Sequence, residues 1–240
     1  MGKMGFGYGS EWHLLRYLGR HRDGLDRSVR EATKSDGVSW LDFRPSGSNQ
    51  FFDGEWEGID FLLAGDGVGQ LDCSYLREGW EDFWPQSGTQ QNWDAVGILR
   101  SGSQSEWLLV EAKAHPAELS GSGCGATAPK SLTLIRQAFK SVGDAIGVAD
   151  TTSWTGEYYQ HANRLATLWF LLSHGVAARL LYVYFLGETH WQDRADTEDD
   201  WKPIIAAQDA VLGLDKASGS QMLKERVHNV FLPVQGPPAG

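Results

Sequence analysis

The sequence predicts a single α/β domain over residues 1–240, from three observations: an apolar helical stripe near the start, short strand-like runs through the middle, and two long helices followed by an almost wholly apolar strand. A hydrophobic content of 41% in a chain of this length is enough to bury one sizeable core.

Ser10 followed by Glu11, Trp12, Leu14, Leu15 and Leu18 reads as an N-capped amphipathic helix. Gly24 breaks it, and residues 25–34 read as a second, more polar helix. Runs 38–43 and 58–64 read as strands, separated by the Pro/Gly/Ser/Asn cluster at 45–49 and closed by the turn signal Asp66-Gly67. After the polar turn at 86–91, residues 93–99 and 107–111 form a hairpin about Gly102. The Gly/Ser/Ala-rich stretch 118–131 is expected to be a flexible surface loop. Leu132, Ile135, Phe139, Val142 and Ile146 recur at helical spacing within 132–148. A second long helix over 158–174 ends at Gly175, and 177–186 is a strand buried on both faces. The Pro/Gly tail 233–240 is expected to fray.

Composition narrows the function. No segment has the unbroken apolar length of a membrane span, and the Gly-rich start lacks the apolar core of a signal peptide, so a cytoplasmic protein without a membrane partner is expected. The seven histidines and two cysteines show no spacing that builds a zinc site. Lys130-Ser131 follows a glycine-containing stretch, but Pro129 stands where a phosphate loop needs glycine. A net charge of -10 argues against a broad basic surface for nucleic acid, although a local basic rim around a carboxylate centre is compatible with it.

The chemistry concentrates on Asp94 and the run Glu111-Ala112-Lys113. Side chains alternate along a strand, so Glu111 and Lys113 share one face while Ala112 takes the other, and a hairpin partner can bring Asp94 beside them. Carboxylate oxygens suit Mg2+ or Mn2+, with the Ala112 carbonyl as a further ligand, and Lys113 can hold a water or a phosphate. An isolated E-x-K triplet occurs about once by chance in a chain this long, so its context carries the weight. The competing reading is an exposed Glu111–Lys113 ion pair at a sheet edge.

This arrangement resembles the PD-(D/E)xK nuclease superfamily, with its restriction-endonuclease-like core of helix, three antiparallel strands, helix and strand. Its signature is an acidic residue followed by E-x-K on the next strand, matched here by Asp94 and Glu111-Ala112-Lys113, although Trp93 stands where the signature has proline. Phe83-Trp84-Pro85, Asn92-Trp93-Asp94, and the stretches 110–115 and 158–164 are similar to a widespread bacterial family assigned to that fold. The resemblance implies a metal-dependent nuclease acting on nucleic acid, expected to be DNA, with Asp94, Glu111 and Lys113 catalytic and Asp94, Glu111 and Ala112 holding the metal. It also implies a helix-one carboxylate near the metal, for which Glu11 is the candidate, and polar residues of a later helix beside the site. For the latter, Gln160, Asn163 and Arg164 share one helical face. A homodimer or a protein partner is compatible with this reading, as is a non-catalytic binding module or a catalytic subunit that needs a partner.

Overall fold

Strand period decides the architecture. Residues 107 to 110 are apolar at both parities, so the strand that carries them must be covered on both faces. The computed structural model describes residues 7–42, 44–45, 53–64, 68, 73–88, 90–217 and 220–236. A mixed five-stranded sheet runs β1 (Gly37–Trp40), β6 (Ala95–Ser101), β7 (Gln104–Lys113), β8 (Ala178–Leu186) and β9 (Val227–Pro233). The first two pairings are antiparallel and the last two parallel. The remaining strand pieces form two small ladders, β2 (Arg44–Pro45) with β3 (Asp53–Gly54) and β4 (Trp56–Glu57) with β5 (Asn92–Trp93).

Helices α1 (Ser10–Leu18) and α2 (Arg22–Thr33) cover one face, where Leu14, Tyr17, Leu25 and Val29 pack on Leu108, Val110 and Ala112. The opposite face takes Trp107 and Leu109 against α3 (Cys73–Phe83), α4 (Pro129–Ile146), α5 (Tyr159–Ser173) and α6 (Glu198–Leu212). A short α7 (Gln221–Arg226) leads into β9. Parallel strands need long crossovers: α4 and α5 supply the one from β7 to β8, and α6 and α7 the one from β8 to β9. Ten residues of α5 are buried, which makes it the central helix of that layer and the one that meets the odd-numbered face of β7.

Several expectations need correction. Residues 58–64 are not a strand: Gly58 takes a left-handed φ of 51°, and a 3-10 turn follows over Asp60–Leu63. Phe61 and Leu62 are both buried, which consecutive residues of a half-buried strand cannot be, and Phe61 meets Trp107 edge-on at 5.0 Å. The first strand ends at Trp40, and Phe43, the cluster at 46–49 and Asp66-Gly67 lie outside the described residues. The 118–131 stretch begins in a 3-10 turn, is tied by Gly121 N–H to Glu157 O and Cys124 N–H to Thr155 O, and gives its last three residues to α4. The tail does not fray at Pro233. Tyr17 donates to the Pro233 carbonyl, Arg16 to that of Val234, and the Val234 N–H to Leu186 O. Residues 237–240 lie outside the described residues.

Helix α6 opens on a capping box. The Thr197 side chain accepts from the Asp200 N–H while the Asp200 carboxylate accepts from the Thr197 N–H at 2.9 Å. Thr197→Ala is expected to cost about 1 kcal/mol, read as a lowered urea midpoint at unchanged slope.

Candidate active site

The site grows out of a mismatch in strand length. The β6–β7 ladder ends at the pair Ala95–Val110, so β7 runs on through Glu111, Ala112 and Lys113 without a β6 partner. Asp94 sits at the bend where the chain leaves that sheet for the β4–β5 ladder, and its Oδ2 accepts the Ala112 N–H at 2.6 Å. A carboxylate thus stands in for the missing strand. Because the N–H and C=O of one strand residue point to the same side, the Ala112 carbonyl faces the Asp94 side too, while its methyl is buried against the α1 and α2 layer.

Glu111 and Lys113 point to the α5 face. Glu111 is 2% exposed, its Oε1 accepting from Lys113 Nζ at 2.7 Å and its Oε2 from Arg164 Nε at 2.8 Å. Lys113 also donates to Gln160 Oε1 at 2.7 Å. Arg164 completes its fork with the Asn163 side-chain oxygen and the Asn92 carbonyl, and its guanidinium lies 4.8 Å over the Trp93 ring. Five donors in a fixed fork are what such a node requires. The Glu111–Lys113 ion pair of the competing reading is present, but it is buried and not exposed at a sheet edge.

The structure brings Asp94, Glu111, Lys113, Gln160, Asn163 and Arg164 together. Glu11 stays at the margin, exposed on the first turn of α1, where its charge acts on Glu55. Glu55 had no pattern to mark it in the sequence, and Asn92 stood there only as the neighbour of Trp93 and Asp94. Glu55 is half-buried and, with Asn92, Asp94, Gln160 and Arg164, lines an open cleft of about 380 Å3. Glu111 and Lys113 lie behind it, in a narrow gap that Gln160 also borders, so Gln160 stands between the lysine and the open cleft.

Electrostatics separate the two carboxylates. Burial and then the Glu111 charge push Asp94 up to about 8, against the Ala112 N–H, Lys113 and Arg164. Burial also acts to raise Glu111, but Arg164 and Lys113 outweigh it and hold that carboxyl below its usual range. Glu55 is raised, first by burial and then by Glu11 and Glu111. A group bound more tightly to its proton in the folded state gives stability that is present at low pH and lost as pH rises through the folded value. Metal-free protein should therefore lose stability between about pH 4 and pH 8. Asp94→Asn should remove that slope and melt higher than wild type at pH 8.5, by about 2 kcal/mol once partial solvent screening of Asp94 is allowed for. Parallel wild-type and variant melts from pH 5 to 9 test this, and an Asp94→Asn variant that melts below wild type at pH 8.5 would sink it.

The donor set suits a hard cation. Asp94 Oδ1 has no hydrogen bond among the described residues, Glu111 Oε1 has Lys113 as its one partner among them, and the Ala112 carbonyl faces the same side as Asp94. The buried amide oxygens of Gln91 and Asn92, both cleft residues, have no partner. Among the described residues, no three His, Cys, Asp or Glu side chains gather closely enough to hold an ion by themselves, so water and substrate oxygens would complete the shell. No described helix is long and apolar enough to cross a membrane. Comparison with protein-family models, with curated proteins and with solved structures gave no match.

Proposed function

We propose that this chain is a divalent-metal-dependent phosphodiester hydrolase of nucleic acid, with DNA as its preferred class, on a restriction-endonuclease-like core. The observation that carries the reading is the convergence at one strand end of Asp94, held up near pH 8 by burial and by a second carboxylate, with the Glu111–Lys113–Arg164 cluster. Two buried carboxylates that repel each other gain from a shared cation. Asp94, Glu111 and the Ala112 carbonyl would hold Mg2+ or Mn2+. When bound, the ion supplies Lewis-acid stabilisation of phosphoryl charge and a more acidic water.

The chain's own residues supply the rest. Lys113 carries a positive charge to the attacked phosphate, and Gln160 aims it. Arg164 fixes the Glu111 carboxylate, and Asn163 fixes Arg164. The cleft beside Asp94 is where a phosphodiester would enter, with Glu55 and Asn92 on its wall.

A second reading rests on one observation: Glu111 is already compensated by two cations, as in a structural ion cluster of a non-catalytic binding module. Degradation of single-stranded, duplex and branched DNA and of RNA at low salt, with and without Mg2+ or Mn2+, separates the two. Calorimetric Mn2+ titration is the companion measurement. Metal-dependent cleavage supports the hydrolase, and binding without cleavage supports a catalytic subunit that needs a partner. Absence of both leaves the binding module. The Asp94 proton adds a check: Mn2+ should restore the wild-type melting temperature at pH 8.5 and leave that of Asp94→Asn unchanged.

A further inference from the structure

Across β8 from Glu111, on the same face of the sheet, lies a second cavity of about 350 Å3 that shares no lining residue with the cleft beside Asp94. Register builds its floor. Tyr182 pairs with Glu111 on β7 and with Asn229 on β9, and Tyr184 stands one row further on. His161, from α5, stacks on Tyr182 at 4.7 Å and 8°, and Tyr182 lies 6.2 Å from Tyr184 at 22°. Burial pushes His161 down to about 3, so its ring is neutral, and its Nδ1 meets the Gln208 amide at 2.8 Å. The floor is therefore a set of three uncharged rings. Leu165, Ile205, Leu214 and Leu223 form aliphatic walls. Size and lining are those of a small-molecule site.

Two polar groups here lack partners. The Asp209 side chain, on the α6 wall, makes no hydrogen bond or ion pair among the described residues. The Tyr182 hydroxyl is fully buried and unpaired. Burial, with Asp215 adding to it, pushes Asp209 up to about 6, so the carboxyl is ionised at neutral pH yet half removed from water. Lys224 lines the cavity from α7 but is exposed and makes no ion pair with Asp209. An unpaired carboxylate among apolar walls and aromatic faces is complementary to one kind of ligand. It must bring a cation on an apolar body, because the charge answers the carboxylate while the rings attract it through their faces.

We propose that this cavity is a binding site for a small organic amine, whose protonated amino group pairs with Asp209 and whose apolar or aromatic body packs on His161, Tyr182 and Tyr184. His161, Tyr182 and Tyr184 also border the narrow gap that holds Glu111 and Lys113, but amine binding needs neither metal nor cleavage, so its test is read separately from that of the proposed hydrolase. The test titrates 2-phenylethylamine, 2-phenylethanol and 3-phenylpropionate into the full chain at pH 7.5 by calorimetry, with melting temperature as a second readout. The amine should bind saturably, and the alcohol and the acid at least about tenfold more weakly, a difference of about 1.4 kcal/mol. Asp209→Asn should melt no lower than wild type and bind amine and alcohol alike. Ile205→Trp, which fills the cavity from its wall, should abolish binding of both without touching the carboxyl. Failure of the amine to saturate, equal binding of the alcohol to wild type, or an amine preference that survives Asp209→Asn overturns the proposal.

Discussion

Lys113→Met is expected to lower metal-dependent cleavage by about 100-fold or more while the domain stays folded. Methionine keeps an unbranched stem of similar length and removes only the ammonium. That ammonium holds Glu111 Oε1 and Gln160 Oε1, each at 2.7 Å, so the fold loses two hydrogen bonds. Glu111 still keeps Arg164, with Nη2 at 2.7 Å, and remains compensated. The proposed mechanism loses the ammonium it assigns to the attacked phosphate. Lys113→Arg should recover little, because a planar fork cannot occupy the compact space between a carboxylate and an amide oxygen. The decisive pattern is a fall in kcat with Mn2+ affinity equal to or above wild type, since Glu111 loses a competitor for the metal. A variant that cleaves every substrate at the wild-type rate would remove Lys113 from the mechanism.

This prediction rests on a part of the molecule that was legible in the sequence, and the reason is periodicity. Period 2 along β7 placed Glu111 and Lys113 on one face and Ala112 on the other, and period 3.6 along α5 placed Gln160, Asn163 and Arg164 on one stripe. What the pattern could not give was depth. It left open a surface ion pair, whereas α5 closes over the strand end and buries it. It also placed Asp94 within a strand, when the residue occupies the bend between two ladders and uses its carboxylate to extend the β6–β7 one.

The C-terminal third was hardest to read. Thr197 and Asp200 form a visible cap, but Pro203 falls inside α6 and reads as a breaker. It stands at the sixth position of α6, past the first turn, and Trp201 anchors that stretch by donating to the Phe185 carbonyl at 3.0 Å. Strand β9 was hidden for a different reason. It is an edge strand, exposed at Asn229, and its register depends on the α6–α7 crossover rather than on any local turn signal. Glu55 is in the same position: nothing near it in the chain marks it, and only the β4–β5 ladder carries it to the cleft wall.

Arg164→Met should be the most destabilising single change at the site, about 3–5 kcal/mol, because Arg164 is the stronger of the two cations that compensate the buried Glu111 carboxylate. Arg164 is 3% exposed, and loss of its guanidinium also takes a partner from the Asn92 carbonyl and the Trp93 ring face. The pH dependence identifies the cause. In wild type the Glu111 carboxyl sits below its usual range, so its contribution is present at neutral pH and lost as pH falls through the folded value. Without Arg164, burial prevails and the carboxyl rises, so protonation now relieves the folded state. The deficit of Arg164→Met relative to wild type should therefore shrink as pH is lowered from 7 toward 4. Adding Glu111→Gln should recover stability in the Arg164→Met background while costing stability on its own, the signature of a directly coupled pair. Urea melts of the four proteins at pH 7 and pH 4.5 decide it: additive effects with no pH dependence would mean that Arg164 acts through packing and that Glu111 does not depend on its charge.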